Sequence, residues 1–391
     1  MKVESTVFSA SRNRMRGPRR RATRTLTLGL AGALLASMVA LVVPSMTAVS
    51  GAANGQIKIG VDLTYNNTDF WSAYISYEQT FAKKDHVKLL GPLLSAASAS
   101  LQNQQIEELV NEGAKAVIVN PETATSLAPA ISYAAKHGVQ LISVDTIVGV
   151  GHVYMVVRAS NLLYGQDACS YIVSQGVTSG YVLNLEGDLT SSNGADRSNA
   201  FAACMQANAP NVTVLNDPTV WNDATAVSDA QTAITAYGNQ LKAIYSQWSS
   251  PDTGIIPLLQ KASLTPLLIS DDGVPFEMCD IAAGSVSASQ SQPANLYAEY
   301  ALKYAIDAAK HLKLKVGDAG GGAPRLQDVS YDNDSNLADP IVAPFVTKAS
   351  VNLKVTPVDG LPATAKSTPV TSSTLWGNVF GAAHGGVCNA S

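Results

Sequence analysis

The sequence predicts an α/β fold built around a parallel sheet, and three observations within residues 98–146 support that prediction. Apolar residues recur at helical spacing ahead of Gly113 and again ahead of Gly138, and glycine is the residue that commonly caps a helix C-terminus. Two short apolar runs, Ala116–Val119 and Val139–Val144, follow these glycines and are too brief for helices. Strands that alternate with helices form a parallel sheet, and such sheets bind ligands beyond the carboxyl ends of their strands.

The same alternation continues along most of the chain. Predicted strands are short apolar runs, found at Lys58–Leu63, Val87–Leu90, Ala116–Val119, Val139–Val144, Val153–Val157, Gly180–Leu185, Val212–Leu215, Ala243–Ser246, Pro266–Ser270 and Gly284–Ser289. Predicted helices separate them, among them residues 68–83, 163–175, 195–208, 223–237, 254–262 and 294–311. From Gly317 the chain turns to glycine and loop, and the Pro- and Thr-rich sequence after residue 355 predicts an extended tail.

The first fifty residues predict a secretory signal. They carry eight basic side chains and one acidic side chain, Glu4, ahead of an uncharged stretch from Leu26 to Val43. Small residues at Ala48, Ser50 and Ala52 then offer a cleavage site. A single membrane anchor is the alternative, because eighteen uncharged residues are at the margin for spanning a bilayer. We therefore expect an exported protein of the cell envelope, a periplasm-like space or the extracellular medium.

Length and charge narrow the class of protein further. A chain of 391 residues has room for two lobes of ordinary domain size. Without the basic signal the remaining chain is strongly acidic, which argues against nucleic acid or an anionic membrane surface as a partner. The sequence contains no HExxH, GxSxG or phosphate-loop motif. The sequence thus predicts no metal, no cofactor and no enzyme activity.

Residues 332–336 open like a calcium loop but lack its turn glycine and distal carboxylate, so they predict a solvated acidic loop.

Residues 98–146 resemble the ribose- and galactose-binding-like members of the type I periplasmic (solute-)binding proteins. The features that match are Gln102–Ile106 at the start of a helix, the strings EGAKAVIVNP and SLAPAISYAAKHGV, and a strand that closes on Val-Asp. The resemblance extends at lower density from Ile57 to Lys315. It implies two Rossmann-like lobes with parallel central sheets and a sugar held between them. The lobes, joined by a three-crossing hinge, would be 57–160 with 290–326 and 161–289 with 327–350, between a signal at 1–50 and an extension at 351–391.

The resemblance also implies which residues touch the ligand. Flat aromatic rings would cover the apolar faces of a sugar, and planar polar side chains would bind its hydroxyls. By this resemblance the contacts are Phe70, Trp71, Asp145, Asn161, Arg197, Trp248, Asp272 and Gln290. Several alternatives stay open, since Phe70 and Trp71 could be helix-core residues, Arg197 a surface residue, and Gln292 competes with Gln290. Thr146 stands where the family usually has an arginine, which puts the usual pentose or hexose specificity in doubt.

The four cysteines, Cys169, Cys204, Cys279 and Cys388, all lie in the part of the chain that would be exported. An oxidising compartment favours disulfides, and four cysteines allow three pairings. Cys169 and Cys204 fall on consecutive predicted helices of the second lobe, which favours that pair and leaves Cys279 to pair with Cys388. A zinc site is the alternative, but no CxxC motif supports it.

The function that these observations predict is capture of a small polyhydroxylated ligand, a sugar or polyol, by hinge closure. The protein would act as a monomer and hand its ligand to the membrane subunits of an ABC permease. A sensor subunit of the same fold that reports to a membrane receptor is the first alternative. A secreted hydrolase or isomerase is the second alternative, against which the missing nucleophile and metal motifs argue. The export signal and the missing N-terminal helix-turn-helix exclude a transcription regulator of the same superfamily.

Overall fold

A computed structural model describes residues 55–331 and 334–350 of the chain. The predicted signal and the predicted C-terminal extension lie outside these residues, and both stay predictions. Among the helices that the structure describes, none is long and apolar enough to cross a membrane.

The described residues form thirteen strands and nine α-helices. In chain order the strands are β1 (Lys58–Leu63), β2 (Lys88–Leu94), β3 (Ala116–Val119), β4 (Gln140–Val144), β5 (Met155–Ala159), β6 (Gly180–Glu186), β7 (Val212–Pro218), β8 (Leu241–Ser246), β9 (Leu267–Asp272), β10 (Ala288–Ser291), β11 (Gln327–Tyr331), β12 (Asp334–Ile341) and β13 (Phe345–Thr347). The helices are α1 (Asp69–Lys84), α2 (Ala99–Asn111), α3 (Ala128–Lys136), α4 (Asn161–Ser174), α5 (Ser192–Asn208), α6 (Asp223–Tyr237), α7 (Asp252–Ala262), α8 (Pro275–Ala283) and α9 (Ala294–Ala309).

Local sequence explains where the helices near the cleft begin and end. The side chain of Thr68 accepts a hydrogen bond from the backbone N–H of Trp71, and so caps the start of α1. Ser98 caps α2 in the same way by accepting from the N–H of Leu101. The left-handed conformation of Gly113, with a φ of 91°, follows the end of α2 as the sequence predicts.

Two mostly parallel sheets confirm the predicted two-lobe α/β architecture. Lobe 1 holds a seven-stranded sheet in the order β11-β12-β5-β4-β3-β1-β2, and lobe 2 holds a six-stranded sheet in the order β13-β10-β9-β8-β6-β7. All neighbours pair in parallel except β11 with β12 and β10 with β13. Strands such as β3 are buried along their whole length, since helices cover both faces of each sheet.

The strand order fixes where a ligand could bind. In lobe 1 the chain runs from β1 to β2 on one side and returns to β3 on the other, and in lobe 2 it does the same around β6. At such a switch point the loops that leave adjacent strands diverge and open a crevice at the carboxyl ends of the strands. The two lobes therefore each present loops to one cleft.

The chain passes between the lobes three times. It leaves lobe 1 between β5 and α4, and it returns between β10 and α9. The prediction that lobe 1 resumes at residue 290 places this return too early, because Gln290 pairs with Asp271 of β9 inside the lobe 2 sheet. The third crossing lies between β12 and β13.

The prediction that residues 327–350 belong to lobe 2 is wrong for β11 and β12. Ala338 of β12 lies opposite Val156 of β5 in a parallel pair, so β12 extends the lobe 1 sheet and β11 pairs with β12 beyond it. The third crossing accordingly lies after Ile341 rather than near Gln327. The apolar pattern did not show this, because β12 is a largely polar strand.

Part of the predicted acidic loop at residues 332–336 is instead the start of β12. Asn336 is buried, and its Nδ2 donates to the carbonyl oxygens of Val148 and Gly151. Its Oδ1 accepts a hydrogen bond of 2.9 Å from the backbone N–H of Val153. Hydrogen bonds to a distant loop, rather than apolar packing, thus hold this strand in place.

The predicted disulfide between Cys169 and Cys204 is confirmed, with an S–S distance of 2.03 Å. It joins α4 to α5, two helices that pack closely in lobe 2. Cys388 lies outside the described residues, so its pairing with Cys279 stays a prediction.

Candidate functional site

A pocket of about 320 Å³ lies between the two lobes at the carboxyl ends of their strands. Lobe 1 contributes residues that follow β1, β3 and β4 and that open α1, among them Thr64, Tyr65, Asn67, Phe70, Trp71, Asn120, Glu122, Asp145 and Thr146. Lobe 2 and the segment that returns from it contribute Asp188, Ser191, Asn193, Arg197, Val220, Trp221, Asn222, Asp223, Trp248, Asp272 and Gln292. The volume suits a ligand of the size of a monosaccharide.

Most of the residues that the sequence proposes as ligand contacts line this pocket. They come from both lobes and are Phe70, Trp71, Asp145, Arg197, Trp248 and Asp272. Asp145 and Arg197 reach the pocket from opposite lobes, as the family resemblance predicts.

Arg197 of α5 forms the inner wall of the pocket and is almost fully used by protein partners. Its Nε donates to Asn161 Oδ1 at 2.6 Å, and its Nη2 donates to Gln292 Oε1 at 3.1 Å. Nη1 donates to the carbonyl oxygen of Gln247 and lies 3.3 Å from Asp271 Oδ2 in a buried ion pair. Arg197 is therefore not a solvated surface residue, and its main role in this conformation is to orient its neighbours.

Asp145 bridges the two lobes from the end of β4. Its Oδ2 accepts a hydrogen bond of 2.6 Å from Asn193 Nδ2 in lobe 2, and its Oδ1 accepts one of 2.9 Å from Gln292 Nε2. Its backbone φ is 70°, a left-handed conformation that is uncommon outside glycine and concentrates at functional sites. The carboxylate is thus held in place by lobe 2 and by the segment that returns from it.

The carboxyl groups around Arg197 are shifted by burial. Burial raises the pKa of Asp145, and the nearby Arg197 and Arg158 only partly oppose this shift. Burial also raises the pKa of Asp271 to about 7, against the effect of Arg197, and raises the pKa of Asp272. Burial lowers the pKa of the Arg197 guanidinium, but the neighbouring carboxylates outweigh it and the net pKa is raised. The guanidinium therefore stays charged.

Phe70 and Trp71 form the aromatic wall of lobe 1. Both are buried, and their ring centroids lie 4.9 Å apart in an edge-to-face arrangement. Phe70 also packs edge-on against Tyr297 of α9 at 5.3 Å. These rings line the pocket and also pack in the hydrophobic core. Both alternatives proposed from the sequence, a stacking residue and a core residue, therefore apply to them.

Trp248 and Trp221 form the aromatic wall of lobe 2. Their centroids lie 5.5 Å apart at an interplanar angle of 83°, and Trp248 Nε1 donates to Asp223 Oδ1 at 2.7 Å. The Trp221 ring covers Gly187 so closely that a Cβ at this glycine would overlap it. Val220 and Trp221 both have positive φ values, 55° and 58°, so a strained turn presents the indole to the pocket.

Asn161 lies outside the pocket, contrary to its proposed ligand contact. It is buried at the start of α4, where its Oδ1 accepts from Arg197 Nε and its Nδ2 donates to Asn193 Oδ1 at 3.1 Å. The Asn161 side chain therefore orients two residues that line the pocket, Arg197 and Asn193. The sequence could place it at a strand end but could not show that Arg197 stands between it and the cleft.

Gln290 also lies outside the pocket, and Gln292 takes the place proposed for it. The Nε2 of Gln290 donates to the carbonyl oxygen of Ala343 at 2.6 Å, next to the third crossing. Gln292 lies just beyond β10 and connects Arg197 with Asp145. The choice of Gln290 over Gln292 as the ligand contact is therefore wrong.

Several pocket residues had no role in the prediction. Asn193 joins the lobes, Trp221 adds a second indole, and Tyr65, Glu122 and Asp188 line the outer part of the pocket. The sequence did contain a signal for these residues, because each lies in the segment that follows a predicted strand. No spacing rule, however, shows which side chain of a strand-end loop turns inward.

Among the residues that the structure describes, no group of three or more His, Cys, Asp or Glu side chains is placed to hold a metal ion.

Comparison with known proteins is consistent with this geometry. A family model described as a periplasmic binding protein domain matches residues 59–313. The chain is 25% identical over 226 residues to a xylitol-binding protein of Mycolicibacterium smegmatis, a match that covers 57% of this chain and 64% of that protein. It is 26% identical over 224 residues to the D-allose-binding periplasmic protein of Escherichia coli, which covers 54% of this chain and 71% of that one. The match to the xylitol-binding protein thus spans slightly less than two thirds of its length.

Solved structures share the fold at low sequence identity. An ABC transporter solute-binding protein from Mycobacterium smegmatis with bound glycerol superposes with a TM-score of 0.65 at 19% identity, covering 75% of this chain and 95% of that chain. The Caulobacter myo-inositol-binding protein bound to myo-inositol gives a TM-score of 0.64 at 22% identity, covering 75% and 94%.

Proposed function

The chain belongs to the periplasmic binding protein family, and we propose that it captures a small sugar or polyol outside the cytoplasm and delivers it to an ABC-type permease. It is a binding protein rather than an enzyme, because its relatives are named for the solute that they bind. The curated relatives bind xylitol, D-allose or ribose by name, and each of these is a small polyhydroxylated molecule.

The observation that carries this proposal is the chemistry of the pocket. Indoles and a phenyl ring from both lobes offer flat apolar surfaces, which suit the C–H faces of a sugar. Between them lie planar carboxylate and amide groups, Asp145, Asp272 and Asn193 among them, which can accept from or donate to hydroxyls. We expect the ligand to lie between Trp71 and Trp248, with its hydroxyls directed to these polar groups.

The contacts between the lobes support capture by closure. Besides Asp145 with Asn193, the backbone N–H of Ile147 in lobe 1 donates to Ser192 Oγ in lobe 2 at 2.9 Å. Arg158 of β5 forms an ion pair of 3.1 Å with Asp196 of α5. These few polar contacts can separate if the lobes rotate about the three crossings, and a bound ligand would add further bridges between them.

Delivery to a permease requires a surface that reports occupancy. A closed pair of lobes presents a combined surface that separated lobes do not, so membrane subunits that recognise it would select the loaded protein. Export by the proposed signal would place the protein on the side of the membrane where such a permease collects its substrate.

A thermal-shift panel tests the proposal. The exported protein is to be heated with pentoses, hexoses, polyols, nucleosides and amino acids, and we expect stabilisation by at least one sugar or polyol. A ligand at 100 times its dissociation constant should add about 2.7 kcal/mol to the free energy of unfolding. Asp272→Asn should reduce that gain, whereas Asp85→Asn, a change at an exposed helix end of lobe 1, should not. Stabilisation by amino acids alone, with no effect of any sugar or polyol, would contradict the proposed ligand class.

A further inference from the structure

Three carboxylates surround the outer part of the pocket, and we call them the acidic rim. Glu122 belongs to lobe 1, and Asp188 and Asp223 belong to lobe 2. Together with the deeper Asp145 and Asp272 they place five carboxyl groups on one ligand-sized cavity.

Hydrogen bonds from its own lobe hold the Glu122 carboxylate in the lining of the pocket. Its Oε1 accepts a hydrogen bond of 2.5 Å from Ser95 Oγ, and its carboxylate also accepts from the backbone N–H groups of Ala97 and Ser98 at the start of α2. Burial raises the pKa of Glu122, and so does the negative charge of Asp188 across the cleft. Closure of the lobes therefore brings like charges together.

Asp188 and Asp223 complete the rim from lobe 2. Asp188 Oδ1 accepts from both the backbone N–H and the hydroxyl of Thr190, and Asp223 Oδ1 accepts from Trp248 Nε1. In each case the bonded oxygen fixes the direction of the carboxylate. Both Glu122 and Asp188 also act on Tyr65. Burial raises the pKa of Tyr65, and the negative charges of Glu122 and Asp188 raise it further.

The positive charge near the pocket does not balance the rim. Among the described residues that line the pocket, Arg197 is the one Lys, Arg or His side chain. Its guanidinium is already paired with Asp271 and bonded to Asn161, Gln247 and Gln292. Thr146, next to Asp145, adds no charge. A cation on the ligand would therefore relieve the repulsion that closure creates.

We propose that the pocket selects a polyhydroxylated ligand that carries a protonated amine, such as an amino sugar or an aminocyclitol, and that the acidic rim binds the ammonium group. This inference rests on the proposed function and adds the charge of the ligand to it. The ring faces and the deeper polar groups would bind the hydroxylated part, while the rim would distinguish an ammonium group from a hydroxyl or a carboxylate.

Isothermal titration with ligands that differ in one substituent tests this inference. The probes are the gluco and galacto forms of a 2-amino-2-deoxyhexose, the parent hexose and the hexuronate. We expect the aminated sugar to bind about tenfold more tightly than its parent, and the hexuronate to bind most weakly. Glu122→Gln, Asp188→Asn and Asp223→Asn should each reduce the preference by about threefold, where the preference is the ratio of the affinities for the aminated sugar and the parent hexose measured on the same variant. Asp223 is exposed, so its variant should fold normally.

Glu108→Gln is the matched control, because it removes one negative charge from an exposed site on α2. It should leave the preference for the amine unchanged. If the parent hexose binds as tightly as the aminated sugar, or if the preference survives in all three rim variants, the inference is wrong while the sugar-binding function stands. If no sugar of the panel binds, with or without an amine, the proposed function fails as well.

Discussion

The arginine of the inner wall organises the pocket rather than presenting a free charge. Arg197 holds Gln292 by one hydrogen bond, and Gln292 in turn donates to Asp145. The centroid of the Tyr164 ring lies 4.6 Å from Arg197 Cζ, so the ring packs against one face of the guanidinium. In the conformation described here, a ligand would therefore contact groups whose directions are fixed by protein partners, which lowers the entropic cost of ordering them.

Gln292 should matter more for ligand binding than Gln290, although the sequence favours neither strongly. We expect Gln292→Ala to weaken ligand binding about tenfold, because it removes a pocket amide and takes one hydrogen-bond partner from each of Asp145 and Arg197. Gln290→Ala, which removes only a bond to Ala343 next to the third crossing, should change affinity less than threefold. Titration of both variants with the ligand found in the thermal-shift panel decides this, and a larger loss in the Gln290 variant would contradict the assignment.

For single residues, the sequence predicts the location along the chain better than the direction in which the side chain points. The family resemblance proposed Asp145 and Asp272 as ligand contacts, and both line the pocket with positive φ values of 70° and 99°. It failed for Asn161, since a strand-end residue can equally serve a neighbouring side chain. It also gave no role to Trp221, whose direction depends on a strained turn and on the absence of a side chain at Gly187.

Among the elements, the packing of α4 against α5 most directly affects the site. α4 opens lobe 2 with Asn161, and α5 carries Asn193 and Arg197. The two helices approach at Gly165, where a Cβ would overlap the carbonyl oxygen of Arg197 and lie 2.7 Å from the backbone nitrogen of Phe201. The disulfide joins the same pair of helices. The position of Arg197 therefore depends on this close contact.

Gly165→Ala should destabilise the protein and weaken ligand binding together. The added methyl group cannot fit against the α5 backbone, so the helices must separate, at a cost of about 1–3 kcal/mol for overpacking. The shift would also move Arg197 and its partners. Denaturant unfolding and titration measure the two effects, and Gln166→Ala, at an exposed position of the same helix, should show neither. A Gly165 variant as stable as the parent protein would show that the helices are not in close contact here.

The elements that the sequence predicts are those with a clear apolar period. Strands such as β3 and helices such as α2 bury an apolar pattern, which identifies them without tertiary information. β12 has no such pattern, and it forms because β5 offers a free edge and Asn336 bonds to a distant loop. α8, a helix of nine residues, is also not among the elements predicted from the sequence.

For the molecule as a whole, buried carboxyl groups connect stability with pH. Burial raises the pKa of Asp62 to about 7, that of Asp271 to about 7 and that of Glu78 to about 8. Each group binds its proton more tightly in the folded protein than in the unfolded chain. The stability that protonation contributes is therefore complete at low pH and is lost as the pH rises through the range between the unfolded and folded pKa values.

We accordingly expect the free energy of unfolding to fall between pH 5 and pH 8, by up to about 1.4 kcal/mol per pH unit for each such group. Glu78→Gln identifies one of them. Glu78 is buried in α1, its Oε1 accepts a hydrogen bond of 3.0 Å from the Tyr74 hydroxyl, and an amide oxygen can accept the same bond without a charge. Relative to the parent, the variant should gain about 4 kcal/mol between pH 5 and pH 9, as measured by denaturant unfolding. Glu108→Gln, at an exposed site, should gain nothing over this range. A parent protein whose stability rises from pH 5 to pH 8 would contradict the burial of these groups in the protonated form.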